Sequence, residues 1–167
     1  MLVAAAVFGT ALSTSFTVTK DFQGAAGSND SARLVLMQIN RELRSAELIN
    51  EPLPNCTSDV LDFETRAYAG AATVTQHIVY KVVGGDLQRS NDGGSTWRNV
   101  ITNIVNPVGD YLFETQGSVG GTPSEGKVVT IRVWTDADPT DRIAPRLAET
   151  ETSGRNIWTP NQGGSCP

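Results

Sequence analysis

The chain has 167 residues, 39% of them hydrophobic, enough for one domain plus an arm but not for two full domains. Thirteen Lys and Arg stand against 18 Asp and Glu, for a net charge of −5, and no basic block occurs anywhere. That balance excludes a nucleic-acid backbone as partner, because binding one requires clustered Lys and Arg.

Residues 1–18 carry no charge, and Lys20 and Asp21 close the run. No basic residue precedes the apolar stretch, so the positive n-region of a secretory signal is missing. The run is also a few residues short of the about 20 that cross roughly 30 Å of hydrocarbon. The expectation is an apolar helix without its beginning. After the small-residue stretch GAAGSNDSA (24–32) comes RLVLMQINRELRSAELIN (33–50), where Leu36, Ile39, Leu43 and Ala46 recur at three- and four-residue steps. Arg33, Arg41, Glu42, Arg44 and Glu47 lie between them, which predicts an amphipathic helix with one buried stripe. Pro52 and Pro54 are expected to end it, because proline cannot continue the hydrogen-bond ladder.

Residues 1–50 resemble the type IV pilin-like superfamily, which includes type IV pilins and type II secretion pseudopilins. Mature members open with a Phe-Thr-Leu-x-Glu-like segment on a long apolar helix, and a glycine follows nine residues after that glutamate. Gly9 fits the glycine, which puts the glutamate immediately before Met1, so MLVAAAVFG looks like the family helix minus its first five residues. RLVLMQINRELRSAELI (33–49) is similar to the end of the helix in pseudopilin-like and minor-pilin-like proteins, where Arg-Glu-Leu-Arg-x-Ala is common. The resemblance implies cleavage by a prepilin peptidase, N-methylation and inner-membrane assembly machinery. It also implies a homo-oligomeric helical filament, in which the glutamate neutralises the terminal amine of the adjacent subunit.

The rest of the chain reads as antiparallel β. Val60–Thr65 is a first short strand, and Val74–Val83 is the clearest, β-branched and aromatic throughout. Gly84-Gly85-Asp86 turns into Leu87–Ser90, and Asn91-Asp92-Gly93-Gly94 turns into Thr96–Val100. Asp110–Thr115 and Lys127–Thr135 flank the glycine-rich loop GSVGGTPSEG, and Arg146–Thr152 adds an edge strand. The expected fold is α+β: a long N-terminal helix, apolar arm plus amphipathic half, packed on one antiparallel sheet of about four to six strands. The division is an arm over 1–27 and a globular body over 28–167.

The two cysteines, Cys56 and Cys166, lie 110 positions apart. In an extracytoplasmic protein such a pair is most simply a disulfide, tying the tail to the end of the helix; in a reducing cytoplasm it is two free thiols. On the chain-entropy view so long a loop contributes roughly 4–5 kcal/mol. No CxxC or Cys/His cluster exists, so neither a metal site nor a cofactor is expected.

Four local features bear on function. Ser90–Trp97, SNDGGSTW, has the Asp-box pattern of sialidase-like propellers, but it occurs once and reads as a hairpin turn. DADPTD (136–141) sets Asp136, Asp138 and Asp141 in one loop, a weak calcium candidate with no glycine at the bend and no bidentate Glu. Asn29-Asp30-Ser31 and Asn55-Cys56-Thr57 match the N-glycosylation tripeptide. His77, the only histidine, sits mid-strand with no nucleophile pattern and supports no triad.

No catalytic constellation emerges, and the expectation is a structural subunit rather than an enzyme. Its assembly would bury Leu2, Val3, Val7, Phe8 and Leu12 in a filament core, with Ala4, Ala5, Ala6, Gly9 and Ala11 allowing close helix approach. Gly24 and Gly27, each weakening a helix by up to about 1 kcal/mol, mark a joint between arm and body. The first expectation is an extracellular type IV pilus-like fibre whose subunits wait in the inner membrane; the alternative is a type II secretion pseudopilin in a short periplasmic pseudopilus. A membrane-anchored binding protein that does not polymerise is the third.

Overall fold

The structure, a computed structural model, describes residues 30–53, 55–69, 72–116, 127–136 and 144–154. Among these residues one helix, α1 (30–44), leads directly into nine strands. These are β1 (Ala46–Glu51), β2 (Thr57–Ser58), β3 (Val60–Ala69), β4 (Ala72–Val83), β5 (Asp86–Ser90), β6 (Arg98–Ile101), β7 (Phe113–Gln116), β8 (Lys127–Thr135) and β9 (Arg146–Gly154).

The strands form two antiparallel sheets, not one. Sheet A has the order β1-β3-β4-β5-β6 and sheet B the order β2-β7-β8-β9. The expectation of one sheet of four to six strands packed on a long helix is therefore corrected. Among the described residues helix is confined to the short α1, and the expected arm over 1–27 lies outside them. Strand alternation along the chain shows which side chains face inward, but not which sheet a strand joins. The division is made by residues 102–106, which leave β6 and run onto the end of β8. There Ile104 bridges Thr135, Val105 donates to the Trp134 carbonyl (3.0 Å) and Asp136 donates to the Asn103 carbonyl (3.0 Å).

The helix also ends earlier than the prolines suggest. Ser45 donates its amide to the Glu42 carbonyl at 3.1 Å, closing the last turn, and Ala46 begins β1. Ala46 and Ile49, three apart, are both buried although they lie on a strand, because the β1–β3 register shifts between Ala46 and Leu48; a second shift follows between Ile49 and Glu51. Each such irregularity re-aims a side chain, so a bulged strand reproduces a helical spacing. Pro52, joined to Glu51 by a cis peptide, follows β1 rather than α1.

One core joins the three layers. Leu36, Ile39 and Leu43 of α1 meet Phe63, Ile78 and Tyr80 of sheet A and Phe113, Val129 and Ile131 of sheet B. Phe63 and Tyr80 stack with centroids 6.5 Å apart. Polar contacts fix the helix to both sheets: Glu42 bonds to Tyr80 of β4, and Asn40 donates to Thr150 Oγ1 of β9 at 2.7 Å. Gly85, at φ +83° in the β4–β5 turn, accepts from Ile104 N at 2.7 Å. A Cβ there would sit 3.3 Å from the Ile104 carbonyl oxygen, so the approach of the crossing segment requires glycine.

Candidate functional site

The polar anchor under α1 begins with sequence parity. Leu87 and Arg89 lie two apart on β5 and face the same way, so burying the leucine drags a guanidinium inward. Such a charge needs partners. Arg89 Nη2 donates to Glu42 Oε1 at 3.0 Å, Arg89 Nε donates to the Tyr80 hydroxyl at 3.1 Å, and that hydroxyl donates to Glu42 Oε2 at 2.7 Å. Gln38, one turn back on the helix, donates to Glu42 Oε1 at 2.9 Å. Burial, with the Glu42 carboxylate beside it, pushes the Tyr80 phenol well above its ordinary range. Burial pulls Arg89 down, but the bonds and charge of Glu42 and Tyr80 outweigh it and leave the guanidinium raised. Helix and sheet A are thus joined by a closed triangle. The signal was the Leu87–Arg89 parity, which the sequence reading missed.

The opposite side of α1 is exposed, with Arg33 and Arg44 at its border with β9. At about 100° per residue, Arg33, Leu34, Met37, Arg41 and Arg44 fall within one arc of roughly 100°. Ala32, Leu36, Ile39 and Leu43 fall on the buried side. Leu34 and Met37 are 66% and 68% exposed, which makes them the two large apolar side chains α1 leaves in solvent. Among the described residues Arg33, Arg41 and Arg44 form no ion pair.

The Asp-box segment is the β5–β6 hairpin turn. Asp92 Oδ1 accepts from the amides of Ser95 (3.0 Å) and Thr96 (2.9 Å), and Asp92 Oδ2 accepts from Thr96 Oγ1 (2.6 Å). Ser90 Oγ donates to Asp92 Oδ1 at 2.6 Å and accepts from Gly94 N at 2.8 Å. These bonds, from Ser90 and Thr96 above all, hold the Asp92 carboxyl well below the usual carboxylate range. Trp97 packs against Gly94 on one side and carries Lys81 Nζ 3.8 Å from its ring centroid. Every side-chain bond to Asp92 comes from Ser90, Ser95 or Thr96, so its carboxylate is engaged by its own turn.

His77 pairs through Nε2 with Asp62 Oδ1, which also accepts from Asn50 Nδ2 at 3.1 Å. On the outer face of sheet B, Arg132 bridges Glu114 (2.7 Å) and Glu149 (2.9 Å), and the Arg132 bond holds the Glu114 carboxyl below its ordinary value. Cys56 is buried and disulfide-bonded. Cys166, the only other cysteine, lies outside the described residues. Of the calcium candidates, Asp136 follows β8, while Asp138 and Asp141 lie outside the described residues. Among the described residues no group of three or more His, Cys, Asp or Glu is placed to hold a metal ion. Leu2, Val3, Val7, Phe8, Gly9, Leu12, Gly24, Gly27 and Asn29 also lie outside them. Asn55 is exposed with φ 59°. Among the described residues no helix is long and apolar enough to cross a membrane.

No protein-family model, curated protein or solved structure matches the chain. Function therefore rests on the residues themselves.

Proposed function

We propose that the chain is a structural subunit of a type IV pilus-like extracellular filament, held in the membrane and then in the fibre by its apolar N-terminal run. One observation carries the reading: the uncharged run 1–18 leads, within eleven residues, into a helix that spends one face on its own body and leaves Leu34 and Met37 exposed on the other. An apolar run of that kind needs either hydrocarbon or copies of itself around it. Its side chains Leu2, Val3, Val7, Phe8 and Leu12 supply buried area, and Gly9 with the neighbouring alanines supplies close approach. The triangle of Glu42, Tyr80 and Arg89 supports this role mechanically, since force on the run passes through α1 into sheet A.

The test is assembly in the native envelope. Antibodies to the body are expected to label fibres, and Val7→Asp with Phe8→Asp is expected to abolish them while leaving the β-sheet circular dichroism unchanged. Labelling confined to short periplasmic assemblies moves the assignment to a secretion pseudopilus. A wild-type chain extracted only as single copies, with no labelled fibre, overturns the proposal.

A further inference from the structure

We propose that the outward stripe of α1 docks on an anionic bilayer surface while the subunit is membrane-held. The inference rests on the proposed function for what brings the bilayer near, and on the helix itself for the chemistry. The stripe holds three guanidiniums, Arg33, Arg41 and Arg44, interleaved with Leu34 and Met37, and Asp30 is the only acid in the same arc. An interfacial helix face has this composition: cations meet the phosphates, and short apolar side chains enter the boundary between headgroups and acyl chains. A guanidinium suits the phosphate oxygens because its donors match them in pairs.

The rest of the molecule makes the stripe stand out. The chain as a whole carries −5, yet Glu42 is taken up by Arg89, Glu47 by Arg66 and Glu149 by Arg132, which leaves the exposed Asp30 and the Glu151 beside Arg44 against three guanidiniums on this face. A second copy is the weaker occupant, because many of the carboxylates it would offer are already engaged. Asp62 is bonded to His77, Asp86 to Asn99, and Glu114 and Glu149 to Arg132. Reach is also satisfied. From Arg33 to Arg44 the stripe runs about 16 Å along the helix. The eleven residues 19–29 that join it to the apolar run span at most about 40 Å when extended, so a bilayer holding the run lies within reach of the stripe.

The experiment uses the full chain carrying Met37→Cys, labelled with an environment-sensitive fluorophore and reconstituted in phosphatidylcholine vesicles with or without phosphatidylglycerol. The expected result is a blue shift and several-fold lower quenching by iodide in the phosphatidylglycerol vesicles only, reversed by high salt. Adding Arg33→Gln, Arg41→Gln and Arg44→Gln should erase the difference while the circular dichroism stays unchanged. Equal quenching in both vesicles overturns the docking and leaves the filament proposal intact, since the chain still floats with them. Shielding that follows protein density rather than lipid charge also overturns it, and assigns the stripe to a second copy. A chain that floats with neither vesicle removes the membrane-held state, and this docking with it.

Discussion

Removing the Glu42 carboxylate leaves a buried guanidinium and a buried phenol without their common partner, the most damaging single change available at the helix–sheet contact. Glu42→Ala is expected to destabilise the body by about 3–5 kcal/mol, the range for breaking a buried pair from one side. Tyr80→Phe, which keeps the ion pair, should lose only about 1–2 kcal/mol. Chemical denaturation of the two variants checks the order. Tyr80 also sets an alkaline limit. Its folded-state pKa is raised above the ordinary 10.0, so the unfolded chain ionises first, and stability present below that pH falls as pH rises above it. Tyr80→Phe should flatten this loss in unfolding curves taken above pH 10. At Asp92 the sign is reversed. Its depressed pKa contributes stability above the ordinary 3.8 that is lost only as pH falls below it. The Lys81–Trp97 contact should therefore persist in NMR spectra at mildly acid pH.

At the scale of elements, the turns were the most legible part of the sequence, because glycine chemistry is local. The β5–β6 turn follows from Ser90, Asp92, Gly93 and Gly94 alone, and Gly93 and Gly94 both adopt positive φ. Gly94→Ala is expected to loosen it, since φ is +92° and the new methyl carbon would lie 3.2 Å from the Trp97 ring. A fall in thermal midpoint with increased Trp97 exposure checks this. The buried face of α1 over Leu36, Ile39 and Leu43 was legible for the same reason, as periodicity is also local. The helix terminus was not, because the register shift of β1 between Ala46 and Leu48 gives Ala46 and Ile49 a helical interval. Nor was the anchor of Arg89, where an ordinary alternating strand hid a buried charge whose partner comes from 47 residues away.

At the scale of the molecule, the hairpins of sheet A could be read along the chain, but β2 joins β7 across more than fifty residues and no local pattern announces it. Thr115, in β7, donates to the carbonyls of Leu53 and Cys56, so the disulfide at Cys56 sits at this distant junction. Peptide mapping without reduction is expected to join Cys56 to Cys166, and reduction should lower the thermal midpoint; a fragment pairing Cys56 between two chains would contradict the intramolecular link.

The outermost strand of sheet B has a consequence for solubility. β9 pairs with β8 over nine residues without a bulge, and among the described residues no strand lies on its far side. Such a regular rim invites the same strand of a sister molecule to stack alongside it. Two copies meeting antiparallel about Thr150 would set Glu149 against Glu151 on both halves of the pairing, and like charges directly opposed repel. The two glutamates act as gatekeepers that leave the rim open to water yet closed to its own twin.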